Sequence, residues 1–540
     1  MRSGARAIVQ RQQALRTSRT RKPQARAFFG RGGYEGARTD LRELMTWLPG
    51  LGSADQDTLG DLPALRARTR DLERNAPLAT GALLTRLDNV VGGGLMPTPQ
   101  IDREFLGLTE EEASIWQRDA MRIVEAVAMT KRFDVAGRNS FPQMQRLALR
   151  STLSGGDAFA VRRWVPKPGD ILALKIQLLE ADRVGNPTGR INSRELRDGV
   201  VLDEYGGARG FFVASHHPSE IEYGQGYPNY DYIPAIGSQS GMPLVLHIIE
   251  QQRIDQTRGV PYLAPVIRQL KQIDRFTDSE LAAAVIASFF TVFIKRTGSV
   301  EDGKSLADFE DADTAPIAAG DNVKLGQGAV VELPAGDDIT IANPGRPNAQ
   351  FDPFLSSLAQ YMGVALGIPY ELLLKRFNSS YSASRAALQE AWRAFEAQQD
   401  WLVETFCQPV YEWIIWEAVQ RGLLVAPGFA EDPMIRRAYV GAMWAGPTVT
   451  QLDPLKEVNA AIRRIDGGLS TRAMEAPQLT GQGWEKIHDQ LVRERKRRVT
   501  DGLAPAEIIT SGLGSMILAD DNETQPAEDD TNPGDPNAAA

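Results

Sequence analysis

Residues Gly298 to Ser305, GSVEDGKS, carry the spacing G-x-x-x-x-G-K-[ST]. In that spacing, loop amides can cradle phosphates, Lys304 can reach the β- and γ-phosphates, and Ser305 can meet Mg²⁺. An apolar segment, Val292 to Ile294, precedes it. Three features weigh against a nucleotide site at Gly298, Gly303, Lys304 and Ser305. Glu301 and Asp302 would put two carboxylates inside a cradle built for anions. The following segment, LADFEDADTAP, has Leu306 and Phe309 as its large apolar residues and stops at Pro316, too little to pack a helix on a sheet. The βαβ repetition of an NTPase core is missing.

No other catalytic set emerges. There is no G-x-S-x-G elbow and no H-E-x-x-H. The chain has four histidines and one cysteine, so no zinc spacing can be assembled and no internal disulfide is possible. His216 and His217 are adjacent, follow a strand-like run and precede Pro218, which favours a turn or core role. Cys407 falls near an apolar helical face and reads as a buried, inert thiol. The residues imply no metal and no cofactor. Lys375 and Arg376 stand in a polar loop beside Phe377; alone, they read as a solvated pair at a helix end.

With 540 residues, 42% of them hydrophobic and 24% charged, the chain can bury a large core in several domains. Net charge is −9, unevenly spread. Between Arg2 and Arg38, nine arginines and Lys22 face one acid, Glu35, whereas Asp520 to Ala540 is acidic and rich in Pro, Asn and Ala. Both ends read as disordered, and the basic arm could equally touch nucleic acid or simply be solvated. The longest apolar run, Leu281 to Ile294, is shorter than a membrane span and suits a buried helix or a helix-to-strand passage. No apolar segment follows the basic N-terminus, so no signal peptide is expected. A soluble, cytoplasmically made protein with no membrane partner is the expectation.

The elements that must position these residues alternate along the chain. Leu62 to Leu84 reads as helix broken at Pro77, then Val90 and Val91 as strand-like before the Gly92–Gly94 turn. Glu110 to Val127 and Phe141 to Leu153 are amphipathic helices. Ala158 to Trp164, Leu172 to Leu179 and Val245 to Ile249 read as strands, and Gly199 to Glu204 with Gly210 to Ala214 as a hairpin. Residues 221–242 read as loop. Tyr262 to Phe289 is helical, with Leu263, Val266, Leu270, Ile273, Phe276, Leu281 and Val285 on one face. An acidic insert with four short strands, Thr291–Ile294, Asn322–Leu325, Ala329–Leu333 and Ile339–Ile341, comes next. Phe351 to Leu366 is helical and stops at Gly367 and Pro369. After the loop, Ser382 or Ser384 can cap a helix of nearly forty residues, with Pro409 kinking it by removing the bond to the Thr405 carbonyl. Arg436 to Trp444, Asp453 to Ile465 and Trp484 to Arg498 read as further helices.

The run GIPYELLLKRFNSSYSASRAALQEAW, with its Tyr381-Ser382-Ala383-Ser384-Arg385-Ala386 core, resembles the signature of the lambda family of tailed-phage portal proteins. Arg74 to Ala79 (RNAPLA), Leu87 to Gly92 (LDNVVG), Leu179 to Val184 with Asn186-Pro187, and Arg253 to Pro261 (RIDQTRGVP) are similar to further motifs of that family, in colinear order. The resemblance spans residues 70 to about 500. It implies an α+β, mainly helical portal fold assembling as a non-enzymatic ring of about twelve subunits at the capsid vertex of a virion. The implied division is a disordered basic arm (1–40), a wing (41–255), a first stem helix (256–290), a β-rich clip (291–350) and a second stem helix (351–368). A tunnel loop (369–384), a long kinked wing helix (385–425), a helical crown (426–500) and an acidic disordered tail (501–540) complete it. It also implies passage of double-stranded DNA without sequence preference, past loop residues Lys375, Arg376, Phe377, Asn378, Ser379, Ser380 and Tyr381. The implied partners are the large terminase subunit, the major capsid and scaffold proteins, and head-tail connector proteins. Two other classes stay open on the residues alone: a P-loop NTPase using Lys304 and Ser305, and a nucleic-acid-binding adaptor working through the basic arm.

Overall fold

The computed structural model describes residues 34–220, 227–238, 240–288, 292–296, 337–341, 350–376, 381–448, 454–480 and 483–503. The chain divides into two units, Met1–Ser53 and Ala54–Ala540. In the first, a 3-10 turn spans Glu35–Ala37 and Arg38 makes a bidentate pair with Asp40. All further description concerns the second unit.

Pro77 divides the first long helical stretch into α1 (Leu62–Asn75) and α2 (Pro77–Val90), because proline is tolerated in a first turn but not in an interior. Val90 closes α2, and so is not strand; Gly92 and Gly94 then turn the chain at positive φ. Helices α3 (Glu110–Ala128) and α4 (Phe141–Gly155) both open with capping boxes, Thr109 with Glu112 and Ser140 with Gln143. Helix α3 buries Ala113, Trp116, Ala120, Val124 and Val127, the stripe its spacing predicts.

The extended elements before α4 and after it are β1 (Met96–Pro99), β2 (Asp157–Trp164), β3 (Leu174–Glu180), β4 (Leu196–Arg197), β5 (Val200–Leu202), β6 (Ala208–Ala214), β7 (Tyr230–Pro234) and β8 (Val245–Ile249). They form an antiparallel sheet of order β3-β2-β8 and a second of order β4-β5-β6-β7. Strand β7 lies where the sequence reads as loop; tyrosine and proline there conceal a strand that pairs with β6. Side chains alternate across β2: Ala158 and Ala160 join the main core, while Phe159 and Val161 join a smaller core with Phe211, Val213 and Val245.

A 3-10 turn (Ala264–Val266) leads into α5 (Ile267–Ser288). Leu263, Val266, Leu270 and Ile273 are buried, but Leu281 and Val285 further along the same face are exposed. Strands β9 (Val292–Arg296) and β10 (Asp337–Ile341) pair antiparallel, with Ile294 opposite Ile339. The expected strands at 322–325 and 329–333 lie outside the described residues. Helix α6 (Phe351–Leu366) returns, followed by the short α7 (Tyr370–Leu374).

The long helix begins at Tyr381, so Ser382 and Ser384 sit within its first turn rather than before it. It runs as α8 (Tyr381–Leu402), a π-helical turn (Val403–Cys407) and α9 (Gln408–Gln420). Pro409 falls in the first turn of α9, directly after the π turn, where a residue without an N–H is tolerated. Cys407 lies buried in that turn, its thiol pushed up by burial. Helix α10 (Pro433–Tyr439) is followed by β11 (Ala442–Ala445), not by continued helix. Strand β1 offers it a partner, with Pro97 opposite Trp444, and tertiary pairing overrides local propensity. Helices α11 (Pro454–Asp466), α12 (Arg472–Thr480) and α13 (Trp484–Thr500) close the chain; α12 carries no strong sequence signal. Among the described residues, no helix is long and apolar enough to cross a membrane.

Two glycines set the junction of β2 with the irregular segment leading to α5. A Cβ at Gly259 would lie 1.9 Å from the Gly156 carbonyl oxygen, and one at Gly156 would lie 2.2 Å from that of Gly259. This approach seats Arg258, fully buried, against Asp157, also fully buried. Arg258 donates Nε to Asp157 Oδ2 at 2.6 Å and Nη2 to Oδ1 at 3.2 Å. Its remaining donors reach the carbonyls of Ala181, Val184 and Asp198. Asp157 also accepts from His247 Nε2 at 3.1 Å and from Arg66 Nη2 at 3.4 Å. Burial pushes the Asp157 carboxyl up, but the Arg258 charge and the bonds from His247 and Arg258 outweigh it, holding it well below the usual carboxylate range. Burial lowers His247 below its ordinary 6.5, only partly opposed by Asp157, so the ring is a neutral donor.

Both folded values are depressed, so both groups contribute stability that is lost as pH falls. The unfolded chain takes up the histidine proton below about pH 6.5 and the carboxyl proton below about pH 4. Urea midpoints measured between pH 8 and pH 5 should therefore fall with acidification, and His247→Gln should flatten that slope; an unchanged slope would count against this account. Arg258→Met strands a buried carboxylate and should cost about 3–5 kcal/mol.

Candidate nucleic-acid interface

The end of α6 leads through Gly367 and Pro369 into α7 and the residues that follow it. Gly367 stops α6 in the left-handed region (φ +59). Gly363 must lack a side chain, since a Cβ there would sit 2.5 Å from the Ile368 carbonyl oxygen. The Leu366 carbonyl, which helix geometry leaves without an intrahelical partner, accepts from Arg86 Nη2 at 2.9 Å and from the Tyr262 hydroxyl. Arg86 also donates Nη1 to Gln398 Oε1 at 2.9 Å and lies 4.7 Å over the Tyr262 ring. One cation thus ties α2, the base of α5, the C-terminus of α6 and the long helix together, at the end where a helix dipole favours positive charge.

Helix α7 ends at Lys375, whose φ of +54 is unusual for a residue with a side chain. Lys375 and Arg376 are both exposed. Arg376 donates Nη1 to Asp352 Oδ1 of α6 at 2.5 Å, whereas Lys375 has no ion pair among the described residues. Phe377, Asn378, Ser379 and Ser380 lie outside the described residues, and Tyr381 is the first residue of α8. The structure therefore brings Lys375, Arg376 and the start of α8 to one loop, and adds Asp352, Arg86 and Tyr262. Nothing in the sequence links Asp352 to Arg376 or Arg86 to Leu366; these are contacts across 24 and 280 positions. Gly298, Gly303, Lys304 and Ser305 also lie outside the described residues.

His216 and His217 occupy the turn after β6. His217 approaches Glu180 and Asp182 at 3.8 and 4.0 Å. Its Nδ1 accepts from the Ser219 amide, which leaves the ring proton on Nε2 facing the carboxylates, and Arg70 already bonds Asp182. Arg70, near Glu180 as well as Asp182, already supplies the counter-charge for this carboxylate pair.

Residues 40–399 match the family described as phage portal protein, lambda family. The chain belongs to that family. It is 26% identical over 519 residues to the portal protein of Escherichia phage N15, covering 92% of this chain and 94% of the relative. It is 26% identical over 529 residues to portal protein B of Escherichia phage lambda, covering 92% and 96%. Among solved structures, it is similar to a chain in the virion of the native gene transfer agent (GTA) particle, at 13% identity and TM-score 0.43, covering 78% of this chain and 93% of that one. A chain in the neck of the native GTA particle with C12 symmetry gives 12% identity and TM-score 0.40, covering 76% and 93%. As a member of this family the protein has the expected α+β, mainly helical architecture.

Arg86→Leu would leave the Leu366 carbonyl with Tyr262 alone, a loss of about 1.5–3 kcal/mol for a charged hydrogen bond. Amide exchange over residues 366–376 should then rise about ten- to hundredfold; unchanged exchange would show that the clamp does not hold the loop.

Proposed function

We propose that this chain forms a ring of about twelve copies at one vertex of a phage-type virion, through which double-stranded DNA enters and leaves the capsid. The family match over residues 40–399 and the full-length similarity to portal proteins of two phages support this reading. The observation that carries the assembly is an uncovered apolar surface on the two long helices. Leu281 and Val285 of α5 and Phe354, Tyr361 and Val364 of α6 are 47–86% exposed in the single chain. Neighbouring copies in a closed ring would cover them.

In this reading α5 and α6 form the stem and β9 with β10 belongs to the clip, residues 291–350, which meets the large terminase subunit and later head-tail connector proteins. Capsid and scaffold proteins meet the outer wing. Assembly takes place in the host cytoplasm, and the chain itself performs no catalysis. Residues 375–381 face the channel, where Lys375, free of an acidic partner among the described residues, meets passing phosphates. Arg376, neutralised by Asp352, does so more weakly. Weak, sequence-blind contacts suit DNA that must slide.

The test is a packaging reaction with portal rings carrying Lys375→Ala/Arg376→Ala. Rings of unchanged mass that retain less DNA are expected; wild-type DNA uptake and retention would contradict a channel role for this loop.

A further inference from the structure

The outer side of the long helix carries a ladder of acids. Glu396, Asp400, Glu404 and Glu412 recur at four- or eight-residue spacing, with Gln408 between the last two, so they share one face through the π turn. The first three are exposed and have no ion pair among the described residues. Glu412 is half-buried, and burial raises its carboxyl. Beneath the ladder lies a cleft of about 340 Å³ whose floor is Val403, Val440 and Trp444. Gln408 fixes that floor, donating to the Val440 carbonyl and accepting from Trp444 Nε1, both at 2.8 Å. Arg437 is the one cation on the rim. Three carboxylates against one guanidinium repel DNA and favour a cationic occupant.

Helix α13 supplies matching chemistry. Every residue from His488 to Arg498 is exposed, including Leu491 and Val492. The helix meets α12 at Trp484, and the rest of its 17 residues have little cover, which is marginal in water, so a partner is expected to cover them. Its last turns carry Arg493, Arg495, Lys496, Arg497 and Arg498 against Glu494, with Asp501 just past the end lying 3.7 Å from Arg497 in an exposed pair. Arg493 and Arg497 stand four residues apart, as do Asp400 and Glu404, and both pairs rise about 6 Å along their helices. The helix starts beside β1, where a Cβ on Gly483 would lie 3.8 Å from Thr98 Oγ1.

We propose that the cleft under Asp400, Glu404 and Glu412 is the docking site for the arginine-rich end of α13 from a second copy of this chain. This rests on the ring reading above. It adds a contact between copies that is separate from the apolar faces of α5 and α6.

The experiment uses the full chain, read by native mass spectrometry at fixed protein concentration. Asp400→Lys/Glu404→Lys and Arg493→Glu/Arg497→Glu should each lower the assembled fraction about tenfold or more, because like charges would then meet. Combining all four should restore most of the assembly. Oxidation of Glu404→Cys/Arg497→Cys should give a ladder of covalently joined chains on a non-reducing gel; the native Cys407 is buried and does not compete. Wild-type assembly by both reversed pairs, a combined variant no better than its parents, or a crosslink within one chain would each overturn the proposal while leaving the ring intact. So would Arg493→Glu/Arg497→Glu rings that form normally but lose affinity for a 30-bp DNA duplex, which would assign α13 to DNA. A wild-type chain that stays monomeric would remove the ring reading and this contact together.

Discussion

The buried pair of Arg258 and Asp157 is the constraint on which the rest of the structure depends. Two charges taken wholly out of water are tolerable only when each is fully bonded. Arg258 meets that condition with carbonyls from three separate places, Ala181, Val184 and Asp198, besides its carboxylate partner. The pair therefore fixes β2, the end of β3, the β4 turn and the approach to α5 relative to one another. Gly156 and Gly259 make the arrangement possible, because any side chain at either position would collide with the other's backbone.

From that anchor, rigidity passes outward to the candidate channel loop. The chain after Arg258 enters the turn holding Tyr262, whose hydroxyl meets the same Leu366 carbonyl as Arg86. The base of one long helix and the end of the other are thus pinned at one point beside α2 and α8. Glu417, buried in α9, does comparable work further along. It accepts from the amides of Ala173 and Leu174 and binds α9 to the start of β3. A loop carrying Lys375 in a left-handed conformation is then presented from a braced base, while the apolar faces beyond it stay open for a neighbouring copy.

Most of the helices were legible because their buried positions recur at helical spacing and their ends carry Pro, Gly, Ser or Thr. The strands of β2, β3, β5, β6 and β8 were legible by alternation. Two readings failed for tertiary reasons. Strand β7 hides in a run rich in tyrosine and proline, and Met443 with Trp444 leaves helix for strand because β1 lies alongside. The loop at Lys375 and Arg376 was visible as polar residues between helices, and the RIDQTRGVP run was visible as a motif. The contacts that hold those residues were not: the Arg258–Asp157 pair joins positions 101 apart, and the Arg86 clamp reaches across 280. Pairings at such separation leave no periodic trace in a single sequence.

The central claim is that this chain closes into a portal ring. The most direct measurement is the native mass of the purified full-length protein, with negative-stain images of the same sample. The account predicts a closed ring of about twelve subunits with an axial hole. A stable monomer, at concentrations and salt where the exposed faces of α5 and α6 should be covered, would contradict it.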